Sequence, residues 1–123
     1  MKKVIIDTNA LMGMAEYKID LFAEIEHTLD IPYQVTILRE TITELKKIQQ
    51  QEKNKFRRYA KLALDIITAK KVLILPEEGF VDNLLVQHSQ HGDLILTQDV
   101  ALKKRLTRPY LTIRQKKRII MVE

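Results

Sequence analysis

What constrains this chain most is a regular alternation of two patterns. Short apolar runs rich in β-branched residues recur at 4–6, 35–38, 72–75, 94–96, 110–113 and 119–122. Most are continuous in hydrophobicity, which fits strands covered on both faces in a parallel sheet. Helical patterns fill the intervals. The clearest places Phe56, Tyr59, Ala60, Ala63, Leu64 and Ile67 on one stripe, with Arg57, Arg58, Lys61 and Asp65 opposite. Further helices are predicted over 21–29, 41–50, 81–91 and 99–106. Pro32, Pro76, Gly79, Gly92 and Pro109 fall between these units, and the polar stretch 49–55 reads as a loop or helix–helix junction. One helix is expected between the first two strands and two between the next pair. The pattern predicts a three-layer α/β domain with a mainly parallel central sheet and right-handed crossovers.

Composition narrows the class. At 123 residues one core is expected, a single domain over 1–123. A hydrophobic fraction of 46% with three Gly and three Pro excludes a disordered or collagen-like chain. No apolar run approaches the roughly 20 residues of a membrane span, and an acid at position 7 interrupts any signal-peptide core, so a cytoplasmic chain is expected, away from membranes. The absence of Cys removes disulfides, thiolate zinc sites and cysteine nucleophiles together. Charge is unevenly placed: the basic segment 100–123 carries Lys103, Lys104, Arg105, Arg108, Arg114, Lys116, Lys117 and Arg118 against Glu123 alone, while the chain as a whole is +5. A basic end suggests a polyanionic partner, and an acidic remainder suggests carboxylates grouped for another purpose.

In such a sheet the functional crevice lies beyond the carboxyl ends of the strands. Asp7 directly follows the first run, and Asp99 follows the fourth within Thr97-Gln98-Asp99. Glu44 is expected in the first turn of the helix after 35–38, and Asp82 opens the helix after 72–75. Each has a structural alternative. Thr41 and Glu44 have the spacing of a capping box, and Asp7, Asp82 and Asp99 all precede helical stretches that they can cap. Taken together they carry a different implication. Two carboxylates about 5 Å apart repel by roughly 3 kcal/mol at an effective dielectric of 20, so a group of them either holds protons or binds a divalent cation. Oxygen ligands alone suit Mg²⁺ or Mn²⁺. Such a cluster near a basic surface suits phosphodiester hydrolysis.

At this point the chain resembles a known family. Asp7-Thr8-Asn9, Glu44 in a Thr-Glu-Leu helix start, Asp82 in Val-Asp-Asn, and Thr97-Gln98-Asp99 are similar to the ordered acidic motifs of PIN-domain nucleases. The ending Tyr110-Leu-Thr-Ile-Arg-Gln-Lys-Lys-Arg-Ile-Ile resembles the archaeal ribosomal-RNA-processing type most, and the VapC toxins more distantly. The resemblance implies an α/β/α domain with about five parallel strands and metal-dependent endonucleolytic cleavage of RNA. It assigns Asp7, Glu44, Asp82 and Asp99 to metal binding and catalysis, Thr97 to supporting Asp99 or a metal-bound water, and Asn9 to orienting the acids. It also implies a ribosomal-RNA precursor as substrate, ribosome-assembly proteins as partners, and a homodimer. Two alternatives remain open: a catalytically weak RNA-binding assembly factor, and a toxin ribonuclease paired with an antitoxin.

Other residues are read more plainly. Arg57, Arg58, Arg114, Lys116, Lys117 and Arg118 are candidates for the RNA backbone, a contact that gives affinity and salt dependence rather than sequence choice. His27, His88 and His91 read as solvated helix-surface residues, and Asp93 receives no role. Phe56 and Tyr59 read as core, so no base-stacking platform is expected. No Gly-rich phosphate loop exists, and Asn9 stands where phospho-aspartate chemistry needs a second Asp.

Overall fold

A computed structural model describes residues 1–123. Six strands, β1 (Lys2–Ile6), β2 (Tyr33–Leu38), β3 (Leu73–Leu75), β4 (Leu94–Leu96), β5 (Tyr110–Arg114) and β6 (Arg118–Val122), form one sheet in the order β3-β2-β1-β4-β5-β6. The first five are parallel and β6 is antiparallel to β5. The resemblance's five parallel strands are present, and the sixth closes a hairpin whose turn places Gln115 and Lys116 at φ 55° and 56°.

Alternate residues of the strands feed two cores. Val4, Ile6, Ile37, Leu94, Leu96, Leu111 and Ile113 pack under α1 (Thr8–Tyr17), α2 (Leu21–Thr28), α3 (Arg39–Gln51) and α4 (Lys55–Ala69). Ile5, Leu38 and Ile95 pack under α5 (Val81–Gln90) and α6 (Val100–Arg105). Both faces of β1 and β4 are therefore covered, which is why their sequences are continuously apolar. From β1 the chain winds outward through β2 to β3, and from β4 outward through β5. The β1–β4 boundary is thus the switch point where a crevice opens at the strand ends.

Several expectations are corrected. Two helices, not one, join β1 to β2. Helix α1 was hidden because it buries Thr8, Ala10, Leu11, Gly13, Met14 and Ala15 and so has no clean polar face. Gly13 serves a close approach: a Cβ there would lie 3.4 Å from Ile113 Cδ1 and from the Tyr17 ring. Helix α3 starts at Arg39, so Glu44 lies in its second turn, not its first. Its N-cap is Leu38 with no side-chain bond, and the Thr41 hydroxyl is buried without any partner; the capping box does not form. The run at 72–75 is not covered on both faces: β3 is an edge strand with Leu73 and Ile74 partly exposed. Phe56 is not core either, being 45% exposed. His88 is mostly buried, its Nδ1 bonded to Asp93 Oδ2 at 3.1 Å and its Nε2 to Glu77, rather than solvated.

Candidate active site

The ladder of the central strands sets the site. Asp7 N donates to Leu96 O at 2.9 Å and Thr97 N donates to Leu111 O at 3.1 Å, so the first residues past β1 and β4 are held side by side. Asp7 also ends its strand as the N-cap of α1: its Oδ1 accepts from Thr8 N at 2.8 Å. Its Oδ2 accepts from the Thr97 hydroxyl at 2.8 Å. The carboxyl is buried, with 6% of the residue exposed. Burial raises its pKa above the ordinary carboxylate value; the bonds from Thr97 and Thr8 oppose that, while the charges of Asp82 and Glu44 add to it.

Two of the other predicted acids, Glu44 and Asp82, therefore act on Asp7. Glu44 reaches the centre from the second turn of α3, where its Oε2 accepts from the Thr8 hydroxyl at 3.3 Å. Asp82 stands in the first turn of α5, behind the cap position held by Phe80. Asp99 is different. Its Oδ1 accepts from Leu102 N at 3.1 Å and caps α6, and its own N donates to the Thr97 hydroxyl at 3.1 Å. Thr97 thus connects Asp7 and Asp99 through one buried oxygen. Asn9 joins the same frame, its Oδ1 accepting from Gln98 N at 2.9 Å and lying 3.4 Å from the Thr97 hydroxyl.

Two contributors lie within the quoted motifs but receive no role there. Thr8 bridges Asp7 and Glu44 through its backbone N–H and its hydroxyl. Gln98 fastens the β4–α6 loop to β5: its Oε1 accepts from the Thr112 hydroxyl at 2.7 Å and from Ile113 N at 2.6 Å, and its Nε2 donates to Ile113 O at 3.2 Å. The position of Gln98 between Thr97 and Asp99 was the available clue.

No Lys, Arg or His forms an ion pair with Asp7, Glu44, Asp82 or Asp99. The carboxylates do not form a closed cage, since nowhere do three His, Asp or Glu side chains converge tightly enough to hold a metal ion by themselves. The donor chemistry nevertheless fits a hard divalent cation. All the candidate ligands are carboxylate oxygens, mutual repulsion acts on a buried one, and Mg²⁺ ordinarily keeps several waters and takes only one or two carboxylates directly.

Arg57 and Arg58 are exposed on α4, and Arg114, Lys116, Lys117 and Arg118 are exposed on the β5–β6 hairpin. Lys116 Nζ lies 5.3 Å from the centroid of Tyr17 near the end of α1, which ties the hairpin to the helix that Asp7 caps. No helix is long and apolar enough to cross a membrane.

These features agree with comparisons to known proteins. Ribonuclease VapC4 of Methanocaldococcus jannaschii is 27% identical over 125 residues, covering 95% of this chain and 94% of the relative. A solved structure of the PIN domain endonuclease Utp24 superposes with a TM-score of 0.75 at 26% identity, covering 97% of this chain and 90% of the other. A family model described as a PIN like domain matches residues 4–116. With that match over nearly its whole length, the chain belongs to the PIN-like domain family.

Proposed function

We propose that the protein is a divalent-metal-dependent endoribonuclease that hydrolyses RNA phosphodiester bonds, with Mg²⁺ or Mn²⁺ as its metal. The observation that carries this is Asp7, a buried carboxylate at the sheet's switch point whose charge is disfavoured by burial and by Glu44 and Asp82 and is paired with no Lys, Arg or His side chain. Asp7, Glu44, Asp82 and Asp99 are the side chains that would hold the metal. A bound divalent cation there supplies activation of water and stabilisation of the charge that develops on phosphate. The chain's own part is positional. Thr97 and Thr8 fix both Asp7 oxygens, Asn9 and Gln98 fix the loop that carries Asp99, and α3 and α5 bring Glu44 and Asp82 to the rim. The exposed cations on α4 and the β5–β6 hairpin hold the RNA backbone.

The substrate we propose is a ribosomal-RNA precursor, on the resemblance of the closing basic segment. A second reading, a toxin ribonuclease, is favoured by the relation to ribonuclease VapC4 across almost the full length of both chains. The test is incubation of a ribosomal-RNA precursor fragment with purified protein plus Mn²⁺, with chelator, and with the Asp7→Asn variant. Cleavage by wild type with metal alone is expected. RNA binding without cleavage under every condition would instead support a non-catalytic assembly factor. Growth arrest on expression, abolished by Asp7→Asn, would select the toxin reading over the processing enzyme.

A further inference from the structure

Beside the acids, α1, α3 and α4 leave a cleft of about 400 Å³, within the range of small-ligand sites. One wall is the acidic centre itself, through Thr8, Asn9 and Glu44, and the other is aromatic, through Tyr17, Phe56 and Tyr59. Phe56 begins a helix whose buried stripe is Ala60, Ala63 and Ile67, yet it stays 45% exposed at the cleft. Its ring meets Tyr59 edge-on, with centroids 6.3 Å apart and an interplanar angle of 86°, a contact that orients both rings. Two cations lie against the lining rings: Lys55 Nζ is 5.4 Å from the Phe56 centroid and Lys116 Nζ 5.3 Å from that of Tyr17. Asn9 uses only its Oδ1 within the protein, which leaves its amide N–H groups for a ligand, and Glu16 adds an acceptor to the wall. A larger cleft of about 660 Å³ between α3, α4 and β3 is lined by none of the four acids and has no such continuity with the chemistry.

We infer that this cleft holds the base of a nucleotide adjacent to the scissile phosphate, stacked on the aromatic wall, with Lys55 and Lys116 meeting the flanking phosphates. This rests on the endoribonuclease reading of the acidic centre. The mixture selects the occupant. Aromatic rings accept the face of any base, and neighbouring cations match a phosphate backbone. An apolar protein segment would instead press against Glu16, Glu44 and Asn9 and leave the lysines unmatched. A base reaches these rings only when it is splayed out of a helical stack.

The test uses a short single-stranded RNA carrying one fluorescent purine analogue, first with chelator to follow binding and then with Mn²⁺ to follow cleavage. Phe56→Leu keeps an apolar side chain but removes the plane, and Phe56→Trp restores it. Wild type is expected to bind the RNA and quench the analogue. Phe56→Leu is expected to bind about 5- to 100-fold more weakly without quenching, at an unchanged melting temperature, and Phe56→Trp to recover both. In cleavage, Phe56→Leu raises KM with little change in kcat. Wild-type affinity and quenching in Phe56→Leu would overturn the proposal, as would a Phe56-dependent shift from dimer to monomer with RNA affinity unchanged, which would make the occupant a second copy of the chain. Binding and quenching by wild type with no cleavage at any metal concentration would sink the nuclease reading and leave the base cleft standing. Cleavage with Phe56→Leu indistinguishable from wild type would do the reverse.

Discussion

Thr97 offers the sharpest test of how the centre is built. Its hydroxyl is buried, donates to Asp7 Oδ2 at 2.8 Å and accepts from Asp99 N at 3.1 Å. Thr97→Val keeps the shape and removes both bonds. A hydrogen bond to a charged group contributes roughly 1.5–3 kcal/mol, so the loss should be about 2–3 kcal/mol. For a chain of this size, at roughly 3–5 °C per kcal/mol, the melting temperature should fall by about 6–15 °C. Thr97→Ser keeps the hydroxyl and loses one buried methyl, about 1 kcal/mol or 3–5 °C. The pH dependence carries a sign. The Thr97 bond lowers the pKa of Asp7 in the fold, against the raising effect of burial. Without it the folded carboxyl titrates higher still, so the penalty of Thr97→Val is greatest at neutral pH. It shrinks as pH falls through the variant's folded pKa of Asp7, and its pH-dependent part is gone below the wild type's folded pKa. Thermal unfolding of the three proteins across acid and neutral pH, with chelator present, checks this. Equal losses for Val and Ser, or a penalty that does not shrink in acid, would show that packing rather than the hydroxyl matters.

Other consequences follow from the same geometry. Because burial and two neighbouring acids raise the pKa of Asp7, its charge costs stability above that folded pKa, and the cost disappears as pH falls below the unfolded value; without metal, Asp7→Asn should melt higher than wild type at neutral pH, by differential scanning fluorimetry. Adding Mn²⁺ at about 100 times its Kd should then stabilise wild type by about 2.7 kcal/mol and Asp7→Asn by clearly less; equal shifts would defeat the shared metal site. Thr41→Val removes a buried hydroxyl with no partner and should stabilise α3 by about 1 kcal/mol in urea titration, whereas a capping box would require a loss of similar size. Replacing Lys116, Lys117 and Arg118 with Ala should flatten the logarithmic salt dependence of RNA affinity by about 2, near 0.7 per lost phosphate contact. An unchanged slope would remove the hairpin from the RNA path.

The fold was legible wherever burial left a periodic mark. All six strands lie where β-branched runs predicted them, and α4, α5 and α6 follow their apolar stripes closely. Legibility failed where two demands overlap on one segment. Helix α1 is packed on most sides, so its sequence lacks the polar face that identifies a helix, and its start is also the Asp7-Thr8-Asn9 motif. Phe56 falls on an apolar stripe by spacing but lies in the first turn, before the buried residues Ala60, Ala63 and Ile67, so the stripe extends in sequence past the end of the core. His88 looks solvated because its partners, Glu77 and Asp93, come from outside its own helix. No local pattern encodes them.

The acids show which part of the site stability explains and which it does not. Asp99 caps α6, and a capping residue is favoured there whatever the chemistry. Glu44 and Asp82 are exposed and carry their charge in water at little cost. Asp7 stands apart. Its two bonds, from Thr8 N and the Thr97 hydroxyl, occupy one oxygen each, and the helix cap uses only the first, a bond that Asn or Ser also makes. The two bonds favour the negative charge at position 7, but burial, Asp82 and Glu44 together outweigh them and raise the pKa of Asp7. A carboxyl so placed either holds a proton or binds a cation. Under the proposed function a divalent cation takes that place, and this opposition, more than the match of any short motif, supports the reading.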